Sequence, residues 1–283
     1  MPEGPEITYF SVFLKKKLIN CKLIEIKSFT DKPVILPKEW VKNKEPNNLN
    51  KTIIDIDSKG KLLWIKFISG DEKSNLYMHV HYGITGWFTF DKPNSNIKFE
   101  LIFKNEKTEK ELNLYMEDKR RFSKINIYDQ EEHDKIINKL GIDLFSDKFT
   151  LEEFKNKIKN KNTLLGAFLL KQDIFCGIGN YIKNEVLYMG KLKAKIKTSE
   201  LDDKQIEKLY NDLLFVGYSN LIEMLTDSKI VKYLNKSKTT FMPKKLEIPY
   251  QYKIYSRETT LDGKKVFKIK VAGRDSYCIK ELC

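Results

Sequence analysis

The chain has 283 residues, of which 41% are hydrophobic and 12% aromatic, so it is long and apolar enough for two or three domains with their own cores. No apolar run of about 18 residues predicts a membrane span, and no apolar segment after Met1 predicts a secretory signal. The four cysteines are too scattered for a disulfide framework. We therefore expect an intracellular, reducing setting, whether nuclear, cytoplasmic or nucleoid-associated.

The formal net charge is +13, from 52 basic and 39 acidic residues. An excess of this size favours a polyanionic partner, nucleic acid first and an anionic membrane second, with simple solubility as the alternative. No basic amphipathic helix with a broad apolar face supports the membrane. Nearly all basic residues are lysines, and the arginines are Arg120, Arg121, Arg257 and Arg274. Because a guanidinium binds phosphates in a fixed planar geometry, these arginines are candidates for binding.

The first element predicted is an N-terminal amphipathic helix over about residues 5–19. In "MPEGPEI", Pro5 suits the first helical position and Glu6 lies in the first turn, where a carboxylate favours the helix dipole. Apolar residues follow at helical spacing: Ile7, Phe10, Phe13, Leu14 and Leu18.

From about residue 20 to 128, short segments that alternate or run apolar between turn residues predict strands. These segments are "KTIIDIDS", "KLLWIKFIS", "GWFTF", "IKFELIF", "ELNLYM" and "SKINIY". Several such strands in one region predict a sandwich or a barrel. A polar hinge is predicted near Asp129–Asp134.

The pattern then becomes helical. Thr150 and Glu153 form a capping box at the start of "TLEEFKNKIKN", and further helices are predicted in "TLLGAFLLKQ", "YIKNEVLYMG", "DDKQIEKLYNDLLFVGYSNLIEML" and "SKIVKYLN". The C-terminal segment returns to strands in "YKIYS" and "KKVFKIKVAG", with a hairpin signal at Asp262-Gly263. We predict an N-terminal domain over 1–130, a linker over 131–149, a helical domain over 150–248 and a hairpin over 249–283.

The N-terminal residues carry a candidate for covalent chemistry. A methionine before proline is commonly removed, which would leave the Pro2 nitrogen as a free secondary amine with a pKa of about 7.7–8.0. Attack of this amine on a sugar C1′ would form an iminium. Glu3 is placed to shuttle a proton or to stabilise positive charge on the opened sugar, and Glu6 to orient the amine. The alternative is that the segment only leads into the helix.

Other candidates point to phosphate. Lys61 follows a turn glycine at the head of a strand and could reach a phosphate, although it could equally be an exposed lysine. His79 and His81 lie on one face of a strand. Because no carboxylate or cysteine cluster lies nearby in the sequence, a phosphate or packing role is favoured over a metal.

Two further motifs combine chemistry with turn geometry. Arg120, Arg121 and Phe122 supply basic and apolar side chains of the kind that insert into a base stack, with a structural role as the alternative. Gly-Ile-Gly-Asn, which ends at Asn180, could direct backbone N–H groups towards a phosphate, with Asn180 as cap or donor. The alternative is a plain helix-loop-helix.

Near the C-terminus, Arg274 lies at a tight turn after a strand. Cys278 and Cys283 amount to half of a zinc site, and residues 250–273 contain no matching pair of cysteines. Because a structural zinc site needs four ligands, we expect no metal.

Taken in order, these motifs resemble the formamidopyrimidine-DNA glycosylase and endonuclease VIII family of base-excision repair enzymes. The resemblance covers nearly the whole chain and rests on Pro2-Glu3 with Glu6, on "GKLL" with Lys61, and on "HYGITG", "DKRRF", "CGIGNYIKNE" and "AGRDSYC". It implies an α+β fold with an N-terminal helix, a two-layered β-sandwich, a helix-two-turn-helix domain and a C-terminal β-hairpin finger.

The resemblance also implies roles for individual residues. Pro2 matches the Schiff-base nucleophile, Glu3 the catalytic acid and Glu6 its supporting carboxylate, and Lys61 and Arg274 complete the catalytic set. The positions that match phosphate-gripping residues are Lys61, His81, Asn180 and Arg274. The positions that match side chains inserted into the gap left by the everted nucleotide are Ile84, Arg120 and Phe122.

Two departures narrow the expectation. The first cysteine pair of a zinc finger is absent, so the chain resembles the endonuclease VIII-like branch with a zincless finger. The loop associated with 8-oxoguanine recognition is hard to find in "TDSKIVKYLNKSKTTFMPKK", which favours oxidised pyrimidines and hydantoins.

The resemblance therefore implies a monomeric glycosylase and AP lyase that acts on oxidised bases and abasic sites in DNA by β,δ-elimination and needs no cofactor. The alternatives are an inactive protein that binds damaged DNA and an AP lyase with little glycosylase activity.

Overall fold

The computed structural model describes residues 2–30, 51–68, 75–225 and 250–283. The chain divides into two compact units. The first contains residues 1–2 and 6–139, and the second contains residues 3–5 and 140–283. None of the helices in the described ranges has the length and apolar character that a membrane crossing requires.

The predicted N-terminal helix is confirmed to within one residue at each end. Helix α1 spans Gly4–Leu18 and carries three lysines in its last turn, where they favour the helix dipole. Its apolar stripe packs into the core of the first unit, and Ile7, Leu14 and Leu18 have no exposed surface. The amphipathic spacing in the sequence thus corresponds to a buried face.

Among its described residues, the first unit then has eight antiparallel strands: β1 Cys21–Ser28, β2 Lys51–Lys59, β3 Leu62–Ile68, β4 Asn75–His81, β5 Trp87–Thr89, β6 Ile97–Asn105, β7 Glu111–Glu117 and β8 Lys124–Tyr128. Their hydrogen-bonded order is β5-β7-β6-β1-β2-β3-β4-β8. The β1–β2 junction is short, because only Lys22 and Leu23 of β1 pair with β2. One apolar core contains residues of α1 and of the strands on both sides of the β1–β2 junction.

The predicted hinge at Asp129–Asp134 is wrong, because this segment begins helix α2, Gln130–Asn138. The Asp129 carboxylate accepts a hydrogen bond from the backbone N–H of Glu132 at 2.8 Å and so caps the helix. Glu131 and Glu132 occupy its first turn, and His133 is buried. The abundance of charge in the sequence conceals a capped helix with one buried face.

The other α-helices of the described residues lie in the second unit. They are α3 Leu151–Lys159, α4 Leu165–Phe168, α5 Asn180–Met189 and α6 Asp203–Met224, with the short strands β9 Ile142–Asp143 and β10 Phe175–Cys176. Thr150 caps α3 as predicted, since its hydroxyl accepts from the backbone N–H of Glu153 at 3.2 Å. The helix predicted in "SKIVKYLN" and the segment "TDSKIVKYLNKSKTTFMPKK" lie outside the described residues.

The C-terminal hairpin consists of β11 Phe267–Val271 and β12 Arg274–Cys278. Ala272 and Gly273 join the strands with φ values of 48° and 76°, as a two-residue hairpin turn requires. The hairpin turn is therefore here, and the Asp262-Gly263 signal corresponds to a separate turn with Gly263 at φ 83°.

Two other C-terminal expectations change. "YKIYS" is not a strand, because its backbone N–H groups bind a side chain described below. Cys278 and Cys283, which we considered as half of a zinc site, form a disulfide with Cα atoms 5.5 Å apart. The single-turn 3₁₀ helix Lys280–Leu282 brings the two sulfurs together. The helix, the sandwich-like sheet, the helical region and the hairpin confirm the α+β class.

Candidate active site and nucleic-acid interface

Glu3 is anchored at the N-terminus of α5. Its side chain is buried, and its carboxylate accepts hydrogen bonds from the backbone N–H groups of Tyr181 at 2.8 Å and Ile182 at 3.3 Å. The first N–H groups of a helix have no partner within the helix, and the helix dipole favours an anion there. The second predicted catalytic residue is thus held by an element 178 positions away in the sequence.

The glycines of "CGIGN" make this anchoring possible. A Cβ atom at Gly179 would lie 2.1 Å from Cδ of Glu3, so any side chain there would displace the carboxylate. Gly177 has φ 97°, and its carbonyl accepts from the N–H of Gly4 at 2.8 Å. We predicted that these N–H groups would face a phosphate, but Tyr181 and Ile182 donate to Glu3 instead. Asn180 is the first helical residue rather than the cap, which is Gly179.

Three further catalytic candidates, Pro2, Glu6 and Lys61, lie in the first unit, and Arg274 lies in the second. Pro2 is buried and is covalently joined to the anchored Glu3. Glu6 is half-buried in the first turn of α1. Lys61 is half-buried and follows Gly60, which has φ 60°, in the turn between β2 and β3, as the sequence predicted. His81 is exposed at the end of β4.

The three candidates for insertion into DNA belong to two loops that pack together in the first unit. We call residues 82–86 and 118–123 the wedge loops. A Cβ atom at Gly83, which has φ 64°, would lie 2.8 Å from the carbonyl carbon of Phe122, so the loops are in direct contact beside Ile84. Phe122 is 52% exposed, and the Arg120 guanidinium lies 5.1 Å from its ring centroid.

Asp118, which the sequence analysis missed, organises the wedge loops from below. It is fully buried and accepts hydrogen bonds from the Thr85 hydroxyl and from the backbone N–H groups of Arg120 at 3.2 Å and Ser123 at 2.6 Å. Burial alone would raise the pKa of Asp118, but these hydrogen bonds together lower it.

A buried lysine supports the same loops. Lys98 on β6 donates from Nζ to the carbonyl oxygen of Arg121 at 2.7 Å and to that of Ser123. The Arg121 guanidinium donates to the carbonyl oxygen of Phe29 at 2.7 Å, so Arg121 has a structural partner while Arg120 lies at the exposed ring.

His79 is a packing residue. Nε2 of His79 lies 2.8 Å from Nδ1 of His133 on α2, and the ring of His133 stacks on Tyr77 at 3.8 Å. Burial lowers the pKa of His79 to about 3, with further contributions from the charges of His133 and His81. In the parts of the chain that the structure describes, no three His, Cys, Asp or Glu residues are grouped so as to hold a metal ion.

In the second unit, a buried lysine connects the two phosphate candidates. Nζ of Lys183 on α5 donates to Oδ1 of Asn180 at 2.9 Å, to the carbonyl oxygen of Asp275 at 3.0 Å and to the Ser276 hydroxyl at 2.9 Å. Asp275 directly follows Arg274, which is exposed at the start of β12. Asn180 and the strand that carries Arg274 therefore share one ammonium group.

Glu185 on α5 fixes the segment that precedes the hairpin. Its buried carboxylate accepts from the Tyr250 hydroxyl at 2.6 Å and from the backbone N–H groups of Lys253, Ile254 and Tyr255 at 2.7, 3.0 and 2.8 Å. These contacts explain why "YKIYS" is not a strand, since three consecutive N–H groups point to one side chain.

Comparison with protein families gives two consecutive matches. Residues 1–125 match the formamidopyrimidine-DNA glycosylase N-terminal domain, and residues 140–230 match the H2TH domain of the same enzymes. The chain belongs to the formamidopyrimidine-DNA glycosylase family. Members of this family are DNA glycosylases with AP lyase activity.

Curated relatives carry the family name. A formamidopyrimidine-DNA glycosylase from Rickettsia conorii is 28% identical over 295 residues, which cover 99% of this chain and 98% of the relative. One from Mycoplasma genitalium is 28% identical and covers 74% of this chain and 71% of its own length. One from Arabidopsis thaliana is 25% identical over 100% of this chain and 70% of its own length.

Solved structures of the family share the fold. The enzyme from Thermus thermophilus gives a TM-score of 0.74 at 22% identity over 98% of this chain and 96% of that one. The Lactococcus lactis enzyme in complex with abasic-site DNA gives 0.74 at 21% identity over 98% and 97%. The same enzyme with DNA containing an oxidised pyrimidine gives 0.73 at 22% identity over 98% of each chain.

Proposed function

We propose that this chain excises oxidised bases from DNA and cleaves the resulting abasic site, with the Pro2 nitrogen as nucleophile. Pyrimidine and hydantoin lesions are favoured over 8-oxoguanine. The oxidised-pyrimidine complex of the Lactococcus lactis enzyme supports a pyrimidine substrate for this fold. The assignment to a zincless branch and the division of the second unit at residues 149 and 248 remain predictions.

The anchoring of Glu3 is the observation that supports this proposal most directly. An exposed N-terminal segment usually frays, and its amine then has no fixed position. Here Glu3 is buried, two backbone N–H groups bind its carboxylate, and Gly4 donates to Gly177. Because Pro2 is bonded to Glu3, the amine is restricted to the immediate surroundings of a carboxylate, which is the arrangement that nucleophile and proton-transfer group require.

The reaction follows from these groups. The Pro2 nitrogen forms a bond to C1′ while the bond from C1′ to the base breaks, and Glu3 assists ring opening and base loss. The resulting iminium acidifies the C2′ protons, so β-elimination breaks the bond to the 3′ phosphate and δ-elimination breaks the bond to the 5′ phosphate. Lys61, His81, Asn180 and Arg274 bind the flanking phosphates, and Ile84, Arg120 and Phe122 fill the gap in the base stack.

The test is borohydride trapping. Protein that begins at Pro2 is incubated with duplex DNA containing 5-hydroxyuracil or an abasic site, and borohydride reduces any iminium to a stable amine. We expect a covalent adduct that peptide mapping assigns to Pro2. The matched control carries one alanine before Pro2, which converts the Pro2 amine to an amide and should abolish the adduct at Pro2 with either DNA.

The outcomes separate the alternatives. An adduct with both DNAs supports the proposal. An adduct with abasic DNA alone, without release of 5-hydroxyuracil, would indicate an AP lyase with little glycosylase activity. Binding of both DNAs without any adduct would overturn the catalytic proposal and leave a protein that binds damaged DNA.

A further inference from the structure

We propose that Lys183 is a positioning residue that fixes which end of the Asn180 side chain faces DNA and holds that amide to the strand carrying Arg274. The inference deepens the proposed function and rests on it, because it assumes that Asn180 and Arg274 bind phosphates.

The argument begins with the chemistry of the two side chains. An ammonium group only donates hydrogen bonds, so the Asn180 atom that lies 2.9 Å from Nζ of Lys183 has to be the carbonyl oxygen. The amide nitrogen then lies on the other side of the side chain. An amide nitrogen donates and does not accept, and a phosphate oxygen is its natural partner. The buried lysine thereby orients a donor.

The surroundings of the amide nitrogen agree with this orientation. Burial raises the pKa of Tyr255 overall, but the Asn180 side chain lowers it, as a donor close to the Tyr255 hydroxyl would. An amide NH₂ carries two hydrogens, so one can serve Tyr255 and the second can serve a phosphate oxygen. With the amide reversed, the carbonyl oxygen would face the phosphate, and two acceptors would repel each other.

The same ammonium group connects α5 to the hairpin. Its other two hydrogen bonds go to the carbonyl oxygen of Asp275 and to the fully buried Ser276 hydroxyl, both on β12. Arg274 is the residue before Asp275 and pairs across the hairpin with Val271. Movement of the Arg274 backbone relative to Asn180 would therefore break hydrogen bonds to a buried charge, which is costly.

The charge on Lys183 is sensitive to pH. Burial is the main cause that lowers the pKa of Lys183 to about 8, with Glu3 and Asp275 opposing the shift and the positive charge of Arg274 adding to it. Tyr255 is the other titratable group beside Asn180, and its pKa is raised, mainly by burial. A neutral amine both donates and accepts, so above about pH 8 the orientation of Asn180 is no longer imposed.

Asn184 provides a matched control. Its Nδ2 donates to the backbone oxygen of Asn180 at 2.7 Å, and its Oδ1 accepts from the N–H of Tyr277 at 2.8 Å. Asn184 therefore also connects α5 to β12, but it is uncharged and these hydrogen bonds leave the Asn180 amide untouched. The effect of replacing Asn184 therefore measures the structural connection between α5 and β12, without a change in the orientation of the Asn180 side chain.

The experiment is a double-mutant cycle on equilibrium binding to duplex DNA with a tetrahydrofuran abasic analogue, which cannot form an iminium. We expect Lys183→Met and Asn180→Ala each to weaken binding about tenfold at pH 7, and the double variant to be no weaker than about tenfold because both remove the same contact. Asn184→Ala combined with Asn180→Ala should instead give multiplied losses. Thermal unfolding of every variant verifies that it is folded.

A pH titration of the same binding provides the second readout. Affinity of the wild type should decrease as pH rises through about 8, and Lys183→Met should lose that part of the profile while Asn184→Ala retains it. The Pro2 amine also titrates near this pH. The pH dependence that the Pro2 amine contributes remains in Lys183→Met, so the variant distinguishes it from the contribution of Lys183. If Lys183→Met does not fold, the wild-type profile compared with Asn180→Ala gives the same information.

Binding by Lys183→Met at wild-type affinity, or losses that multiply with Asn180→Ala, would overturn the inference. So would a pH profile unchanged by Lys183→Met. Failure of the proposed function is recognised separately, since it would appear as no borohydride adduct from the wild type while the binding cycle still showed coupling.

Discussion

The wedge loops can be compared with the region formed by α5, residues 250–255 and β12, which we call the α5–hairpin region. Buried charges hold the backbone in both regions, but they connect residues at different distances along the chain. Each includes irregular backbone, and in each a buried carboxylate and a buried lysine bind backbone groups. Asp118 and Lys98 serve the wedge loops. Glu185 and Lys183 serve the α5–hairpin region.

The difference is in what these charges connect. Asp118 accepts from Thr85, Arg120 and Ser123, which lie 2 to 33 positions away, and the loop tips remain exposed, as Phe122 does. Glu185 binds residues 250–255, which are 65 to 70 positions away. Asp118 and Lys98 fix the conformation of the wedge loops, whereas Glu185 and Lys183 join α5 to residues 250–255 and to β12. A buried charge with distant partners is expected to affect stability more widely when it is removed.

Of the substitutions that test this comparison, Glu185→Gln should decrease stability the most. The substitution replaces one acceptor oxygen by a donor that faces backbone N–H groups, and we expect a loss of about 3 kcal/mol. Hydrogen exchange should show increased exchange at Lys253, Ile254 and Tyr255 and in β12, with the sheet of the first unit unchanged. Uniform protection in both units would show that Glu185 does not hold this segment.

Asp118→Asn should have a smaller and more local effect. It leaves one of the Ser123 and Arg120 N–H groups without an acceptor, at a cost of about 2 kcal/mol. We expect faster hydrogen exchange confined to the wedge loops and weaker binding of abasic-analogue DNA. Asp129→Asn, at an exposed helix cap, is the control and should leave DNA binding unchanged. Exchange that increases in the second unit instead would contradict a local role.

Acid should break the first unit before the second. Burial lowers the pKa of both His79 and His133 in the folded state, so the unfolded chain takes up protons first as pH falls below about 6.5. The stability that these histidines contribute is present above that pH and decreases towards pH 3. Between pH 7 and 5 we expect a loss of about 2 kcal/mol. Urea unfolding at several pH values measures it, and His79→Asn is the variant that should reduce the dependence.

Phe122→Ala should have the smallest effect on stability and a clear effect on function. With 52% of the side chain exposed, truncation should change the free energy of unfolding by less than about 0.5 kcal/mol. Base release in single turnover should nevertheless decrease about tenfold, since the gap left by an everted base would be filled less well. Phe215→Ala, at a 45% exposed position on α6, is the matched control. Equal rates for both variants would remove Phe122 from the proposed set.

The sequence predicts the helices and strands that have a periodic apolar pattern, and it predicts the helix cap at Thr150. The stripe of α1, the alternating strands and the Thr150 cap depend on neighbours in the chain, and they appear where expected. The resemblance names Ile84, Arg120 and Phe122 as inserted side chains, and the structure adds that their two loops are in contact.

What the sequence does not show is the partner of each charged group. The donors to Glu3 lie 178 and 179 positions away, the acceptors of Lys183 on β12 lie 92 and 93 away, and the donors to Glu185 lie 65 to 70 away. No local pattern distinguishes these residues from solvated ones, because the burial that makes them important arises only from tertiary packing. For the same reason "YKIYS" has the pattern of a strand. The helix that begins at Gln130 is a different case, because its cap at Asp129 is a local signal that the predicted hinge overlooked.

The anchoring of Glu3 also has a consequence for synthesis of the protein. The N-terminus leaves the ribosome first, but its binding partners Tyr181 and Ile182 follow after about 180 residues, which takes roughly 10 to 40 seconds at ordinary elongation rates. During that interval the first residues have no site to occupy and are open to the peptidases that remove Met1. Any removal of Met1 that exposes the proposed Pro2 amine would therefore precede burial of this segment.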